Sequence, residues 1–133
     1  MAPQVDIEGL LLLKSDVYKD DRGYFLESYK KSDFAGLGLP EFVQDNFSYS
    51  KKGVLRGLHF QAPPFEQGKL IRVLEGKIWD VVVDIRPNSP TYGKWQGVEL
   101  QEGDGQAFYL SAGFAHGFVV LSETARVWYK TTA

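Results

Sequence analysis

The sequence alternates short runs of β-branched and aromatic residues with clusters of glycine, proline, asparagine and aspartate. Branched and aromatic side chains suit a pleated sheet, and the turn residues accept or preset the dihedral angles that a chain reversal needs. The rhythm therefore predicts strands joined by tight turns, closed into a sandwich or barrel that hides the strand edges. The predicted strands are residues 10–13, 69–74, 78–85, 97–100, 106–110, 117–121 and 125–129. One short helix is expected over residues 32–37, with Ser32 as its N-cap.

Length and composition narrow the classes of protein that fit. The chain has 133 residues, 44% of them hydrophobic, which predicts one domain with a substantial core. It contains no cysteine, which excludes a disulfide framework and a thiol nucleophile and fits a cytoplasmic protein. A net charge of -2 argues against a nucleic acid polymer as partner, and no apolar run is long enough for a membrane partner to be expected.

Residues 53–61, GVLRGLHFQ, place one of the two histidines in an apolar, strand-like run. Alternation along a strand puts His59 on the same face as Leu55 and Gly57, and Arg56 on the other face. A bulge would change this assignment, and Gly57 is where we expect an irregularity. His59 is either a hydrogen-bonded structural histidine or, in the mouth of a barrel, a general base whose ordinary pKa suits proton abstraction.

The second histidine, His116, follows a strand and a small-residue turn in residues 105–118. This pattern resembles the second conserved motif of the cupin superfamily, although Ser111 stands where the family usually has proline and Val120 where it usually has asparagine. A cupin metal site takes three histidines and a glutamate, and this chain has only two histidines. We therefore predict no metal.

Other polar side chains could act beside His59. Lys69 begins a predicted strand, where its ammonium group could stabilise an enolate or remain a solvated surface charge. Tyr129 could deliver a proton, although strand tyrosines more often serve packing. Arg22, Arg56 and Arg72 could each bind a phosphate group in a bidentate manner or be surface charges.

Several motifs, in one order along almost the whole chain, resemble the dTDP-4-dehydrorhamnose 3,5-epimerase family, which consists of metal-free cupins of nucleotide-sugar metabolism. The motifs are DRGYFLE at 21–27, VQDNFS at 43–48, GVLRGLHFQ at 53–61, QGKL at 67–70, DVVVDIR at 80–86, GFAHGF at 113–118 and YK at 129–130. The resemblance implies that residues 1–133 form a single cupin-type jelly-roll barrel of antiparallel strands, which associates as a homodimer. It implies no cofactor.

The resemblance also implies roles for individual residues. His59 would be the base, Tyr129 the acid, and Lys69 would assist the developing enolate. The residues implied to contact the dTDP-sugar substrate are Arg22, Glu27, Gln44, Asn46, Arg56 and His116. The implied reaction converts dTDP-4-dehydro-6-deoxy-D-glucose to dTDP-4-dehydro-L-rhamnose by inversion at C3 and C5.

The sequence departs from the family pattern at its end. Family members continue past the position of Ala133 with a second tyrosine, a substrate-contacting glutamate and a lysine–aspartate pair whose aspartate orients the catalytic histidine. Asp80 or Asp84 could orient His59 instead, or could be surface or turn residues. Three hypotheses follow: a 3,5-epimerase, a related single-centre epimerase or ketoisomerase, and a non-catalytic nucleotide-sugar-binding protein.

Overall fold

The computed structural model describes residues 7–63 and 66–133. In this part of the chain, eleven strands and one short helix follow each other in the order of the sequence. The elements are β1 Leu10–Lys14, β2 Tyr18–Asp20, β3 Gly23–Phe25, α1 Lys31–Gly36, β4 Gln44–Lys51, β5 Leu55–His59, β6 Lys69–Glu75, β7 Lys77–Asp84, β8 Trp95–Gln101, β9 Gln106–Leu110, β10 Phe114–Val120 and β11 Thr124–Thr131. The prediction of an all-β fold with at most one short helix is confirmed.

The strands form two main antiparallel sheets. The five-stranded sheet has the order β1-β9-β6-β11-β4, and the four-stranded sheet has the order β5-β10-β7-β8. Strands distant in sequence are neighbours, as the pairings of β1 with β9 and of β4 with β11 show. This is the arrangement of the predicted cupin-type jelly-roll barrel. A separate two-stranded ribbon, β2–β3, has every residue exposed.

The main core lies between the two sheets. Alternate residues of β6 and β11, including Ile71, Val73 and Val127, are buried against Ile78 and Val82 of β7. Because side chains alternate along a strand, Lys69 and Tyr129 lie on the same inward faces as these core residues. The sequence thus places two polar side chains at the end of an apolar interior.

The helix α1 covers the outer face of the five-stranded sheet. Phe34 of this helix packs with Tyr29 and Phe42 against Leu70 and Tyr109 of the sheet. The helix begins one residue earlier than predicted, and the prediction of its N-cap is wrong. Lys30 occupies the N-cap and makes no side-chain capping bond. Packing of the apolar side chains therefore stabilises this short helix more than capping does.

The predicted irregularity at Gly57 is present. Its φ is +121°, and the register between β10 and β5 shifts between His116 and Phe118. A Cβ atom at Gly57 would lie 2.5 Å from the Cα of Gly117, so a side chain has no room there. The shift leaves His59 directly opposite His116 on the neighbouring strand. No helix in the described ranges has the length and apolar character needed to cross a membrane.

Candidate active site

Three of the predicted catalytic side chains line one small cavity in the mouth of the barrel. His59, Lys69 and Tyr129 surround a volume of about 230 Å³, together with Gln67 and Phe114. A cavity of this size is below the usual range of about 300–1,000 Å³ for sites that enclose a drug-sized ligand. It fits one sugar ring better than a whole nucleotide sugar, whose remainder would have to lie outside it.

Lys69 and Tyr129 come from neighbouring strands. Lys69 on β6 pairs with Thr131 of β11, and Tyr129 pairs with Ile71, so both side chains point towards the barrel interior. The Lys69 ammonium nitrogen lies 5.6 Å from the centroid of the Tyr129 ring. Burial lowers the pKa of Lys69, and the nearby Asp80 carboxylate partly opposes this effect. A cation held in a partly dehydrated position is suited to stabilising an oxygen that becomes negative.

His59 enters the cavity from the other sheet. It is the last residue of β5, a strand in which every residue is exposed. His59 therefore reaches the cavity with access to solvent, whereas Lys69 and Tyr129 stand on better-buried strands. The two sides of the cavity are supplied by different sheets, so a ring bound between them would meet the imidazole on one side and the phenol on another.

The prediction that His116 points into the same cavity and contacts the substrate is contradicted, because His116 does not line this cavity. It is buried, with 8% of its surface exposed, and its Nε2 lies 2.7 Å from Asp80 Oδ2. Asp80 is completely buried, and burial raises the pKa of its carboxyl group more than the attraction of His116 and Lys69 lowers it. The other oxygen, Oδ1, has no hydrogen-bond partner among the described residues. The pair thus forms an ionisable layer beneath the cavity, beside Lys69.

Further predicted substrate contacts stand along β4 and β5. Asn46 pairs with Tyr129, so the two side chains share a face of the sheet, and the Gln44 side-chain amide donates a hydrogen bond of 3.0 Å to Asn46. Arg56 Nε donates a hydrogen bond of 2.8 Å to Ser50 Oγ, which connects the two sheets at this edge. These groups extend the polar surface from the cavity along the edge of the barrel.

Two predicted contacts lie elsewhere in the chain. Arg22 is exposed in the turn of the β2–β3 ribbon, and two nitrogens of its guanidinium group donate hydrogen bonds to Asp20 Oδ2, the shorter being 2.6 Å. Glu27 lines a separate cavity with Phe34 and Arg72. Neither residue lines the cavity that contains His59. Within one copy of the chain, the structure therefore does not bring Arg22 and Glu27 together with the three candidate catalytic groups.

Of the alternatives left open for Asp80 and Asp84, the structure contradicts an orienting contact with His59. Asp80 bonds His116 instead, and Asp84 accepts hydrogen bonds from Arg86, Ser89 and Thr91 in the turn after β7. These donors hold the pKa of the buried Asp84 carboxyl group well below its usual range. Asp84 is thus a turn residue with a structural role, and Asp80 belongs to the ionisable layer under the cavity.

This arrangement makes Asp84 a source of acid sensitivity. A group with a lowered pKa in the folded state stabilises the fold above its unfolded pKa of about 3.9 and loses that contribution as the pH falls. The Asp84→Asn variant should therefore be less stable than the parent at about pH 7 and lose less of its remaining stability on acidification to about pH 3. Urea unfolding at both values measures this. Asp20→Asn, which alters an exposed pair screened by solvent, is the control, and equal pH dependence of Asp84→Asn and the parent would contradict the assignment.

Sequence analysis assigned no role to Gln61, Gln67, Phe60 or Phe114, all of which line the cavity. Their positions in the sequence could have indicated such a role, because each lies within two residues of His59 or Lys69, or inside the motif around His116.

In the described parts of the chain, no group of three or more potential metal ligands is present. The absence of a metal remains a prediction.

A barrel with an imidazole, an ammonium group and a phenol around one sugar-sized cavity defines an enzyme site for proton transfer. Comparison with known proteins agrees: the family model for dTDP-4-dehydrorhamnose 3,5-epimerase matches residues 4–133. The chain belongs to the dTDP-4-dehydrorhamnose 3,5-epimerase family.

Individual relatives are similar over nearly the whole chain. The Escherichia coli (strain K12) dTDP-4-dehydrorhamnose 3,5-epimerase is 52% identical, over 97% of this chain and 71% of the relative. A crystal structure of a Legionella pneumophila 3,5-epimerase in complex with dTDP-4-keto-L-rhamnose has a TM-score of 0.92 and 48% identity, covering 96% of this chain and 69% of that one. A Streptomyces bikiniensis 3'-monoepimerase in complex with dTDP-quinovose has a TM-score of 0.89 and 33% identity, covering 100% and 68%.

Proposed function

We propose that this protein epimerises dTDP-4-dehydro-6-deoxy-D-glucose at C3 and C5, giving dTDP-4-dehydro-L-rhamnose for L-rhamnose synthesis. The observation that carries the proposal is the convergence of His59, Lys69 and Tyr129 on one cavity that fits a sugar ring. Family membership supports it, as does the ligand of the Legionella pneumophila relative, dTDP-4-keto-L-rhamnose. The absence of cysteine fits action in the reducing cytoplasm.

The chemistry begins with the ketone at C4 of the sugar. A carbonyl group acidifies the protons on both neighbouring carbons, C3 and C5, so one base can remove each of them in turn. His59 is the base: it is accessible from solvent, lines the cavity, and carries an imidazole, the side chain that most often acts as a general base.

Loss of the proton places negative charge on the C4 oxygen. Lys69 stabilises this enolate, because its ammonium group lies at the cavity wall where the surrounding protein weakens screening by water. Asp80, in the ionisable layer, lies close enough to Lys69 to oppose in part the effect of burial on the pKa of its ammonium group. We also assign His116 to this layer. Its contribution to substrate binding would then be indirect, through the residues at the base of the cavity.

Inversion requires the proton to return from the opposite face of the ring. Tyr129 is the acid, because its phenol stands on β11 while His59 stands on β5 of the other sheet. The enolate collapses back to the ketone as the phenol gives its proton to carbon. His59 then releases the proton that it removed to solvent, and solvent restores the phenol proton. Each carbon ends with the same atoms and inverted configuration, so this reaction needs no redox cofactor.

Proton exchange in deuterated water tests the proposal. Incubation of the protein with the 4-keto sugar nucleotide should introduce deuterium at both C3 and C5, which NMR resolves, together with the appearance of the L-configured product. Deuterium at neither carbon would contradict the proposed function and favour a protein that only binds nucleotide sugars.

The alternative in the enzyme class is a single-centre epimerase. The similarity of the whole chain to the Streptomyces bikiniensis 3'-monoepimerase favours it as a second candidate, because the two folds match with a TM-score of 0.89. In the same NMR experiment, a single-centre epimerase would introduce deuterium, with inversion, at one carbon only. The higher identity to the 3,5-epimerases favours reaction at both carbons.

We also propose that the protein works as a homodimer. β4 and β5 end their respective sheets and expose large apolar side chains, with Phe47 68% and Leu55 70% exposed, and Phe60, directly after β5, is 60% exposed. Exposed apolar patches next to sheet edges mark interaction surfaces in proteins of this size. A second copy would cover this surface, and it could also meet the exposed β2–β3 ribbon, which carries Arg22 towards the edge of a site.

Light scattering at micromolar concentration should give about twice the chain mass of 15.0 kDa. Leu55→Glu should shift the protein towards the monomer, because a charge buried in an apolar interface is costly. Leu74→Glu is the matched control, since Leu74 is also half-exposed but lies on β6. A parent protein of monomer mass, or equal effects of the two variants, would contradict this interface.

A further inference from the structure

A buried arginine on the outer face of the five-stranded sheet has no part in the mechanism. Arg72 of β6 is only 5% exposed and points away from the cavity, since Ile71 and Val73 on either side of it face the core. Burial lowers the pKa of its guanidinium group, with a nearby carboxylate of Asp104 opposing this. A buried cation of this kind is costly and calls for an explanation.

Every N–H group of Arg72 has an acceptor, and all the acceptors are neutral. An arginine side chain has five N–H donors. Nε donates to the Ser28 carbonyl at 3.1 Å, and Nη2 donates to the same carbonyl at 2.9 Å and to Ser15 Oγ at 3.0 Å. Nη1 donates to the carbonyls of Gly105 and Gln106 at 3.2 and 3.3 Å. No donor remains for a phosphate, so Arg72 is not a ligand site.

The acceptors show what the arginine does. Ser15 and Ser28 stand at the two ends of residues 16–27, the excursion that contains the β2–β3 ribbon with Arg22 and Glu27. One guanidinium group therefore closes the base of this excursion and ties it to the turn before β9. At the Ser15 end, the backbone N–H of Ser15 also donates a hydrogen bond of 2.8 Å to the Gly105 carbonyl, whereas the strands of the ribbon are themselves exposed.

We propose that Arg72 is a positioning residue that holds the base of the 16–27 excursion, so that Arg22 and Glu27 can contact the nucleotide part of the substrate. This inference rests on the proposed function and its homodimer, in which the ribbon of one copy carries Arg22 towards the site of the other, and on the substrate contact that the family resemblance implies for Glu27. The role is purely geometric: the fork of donors fixes the distance and direction between the two ends of the excursion. Lysine, with a single nitrogen, cannot make the same set of bonds.

The test compares the Arg72→Lys variant with the parent protein. The control is Arg126→Lys, in which an exposed arginine is changed in the same way. Amide hydrogen exchange in residues 16–28 should become about tenfold faster in Arg72→Lys, as expected for the loss of one charge-assisted bond, while exchange in β6 and β7 stays unchanged. Unaltered exchange in residues 16–28 would overturn the positioning role.

The second measurement separates positioning from a merely structural effect. The KM for the sugar nucleotide, and the dissociation constant for dTDP measured by calorimetry, should rise about tenfold in Arg72→Lys with kcat within about twofold of the parent. A faster-exchanging excursion with unchanged KM and dTDP binding would overturn the inference while leaving the proposed function intact. A parent protein that neither binds dTDP nor turns over the sugar would overturn both.

Discussion

Replacing His59 with alanine is expected to abolish deuterium incorporation at both C3 and C5. General base catalysis contributes about 10²–10⁴-fold, so the rate should fall by that factor at each carbon, because one imidazole serves both. The variant should fold normally, since His59 lies at the end of a fully exposed strand. Added imidazole should partly restore exchange by entering the vacated volume. NMR in deuterated water measures the rates.

Two further variants test whether the loss of exchange is specific to His59. Leu58→Ala changes the preceding residue of the same strand, which does not line the cavity, and should leave exchange close to that of the parent. Tyr129→Phe removes the proposed acid but keeps the base, so deuterium should still exchange while the inverted product falls far below the parent level. Full exchange in His59→Ala, or a loss of exchange in Tyr129→Phe that imidazole restores to the same degree, would show that the base is assigned to the wrong residue.

Replacing His116 with leucine is expected to cost the largest amount of stability among the polar substitutions. Removing the hydrogen-bond partner of a buried polar group typically costs about 1–3 kcal/mol, and more where that group is charged, because the remaining group stays buried without compensation. Asp80 is fully buried and its Oδ1 has no partner in the described chain, so His116 supplies its one hydrogen bond there. Urea unfolding at about pH 7 measures the loss.

The double variant Asp80→Leu with His116→Leu tests the cause. Replacing a whole buried pair with apolar residues is often neutral or stabilising, so the double variant should recover most of the stability that the single variant loses. The loss in His116→Leu should also shrink as the pH falls, because burial raises the pKa of Asp80 and a protonated carboxyl group is cheaper to bury. Equal losses in the single and double variants would show that packing volume, not charge, is responsible.

The fold could be predicted well from local pattern. The predicted strand at 106–110 matches β9 in both ends, and the others differ by a few residues at their ends, where turn geometry decides. The register could not be predicted, because it depends on pairs distant in sequence such as Asn46 with Tyr129. The prediction of Ser32 as the N-cap was wrong for a related reason, because aromatic packing of Phe34 against the sheet sets the position of the helix.

The site was partly accessible to sequence reasoning. The grouping of His59, Lys69 and Tyr129 was implied by resemblance, and the structure now gives it a geometric basis. The partners of Asp80 and Asp84 could not be told apart from sequence. Both stand on the inward face of β7, and only the fold shows that one meets His116 and the other meets its own turn. The hydrogen bonds of Arg72 could not be predicted from the sequence either, since its acceptors are mostly backbone carbonyls.

The strand order has a consequence for synthesis of the protein. β4 obtains its neighbour in the sheet only from β11, and β6 has β11 on one side and β9 on the other. Folds dominated by such distant pairings form in milliseconds to seconds, and a chain emerging from the ribosome adds only about 5–20 residues per second. The growing polypeptide must therefore wait, with β4 and β6 incompletely paired, until β11 is made. β11 also carries Tyr129, so the partner strand of β4 and β6 and the proposed acid are synthesised in the same step.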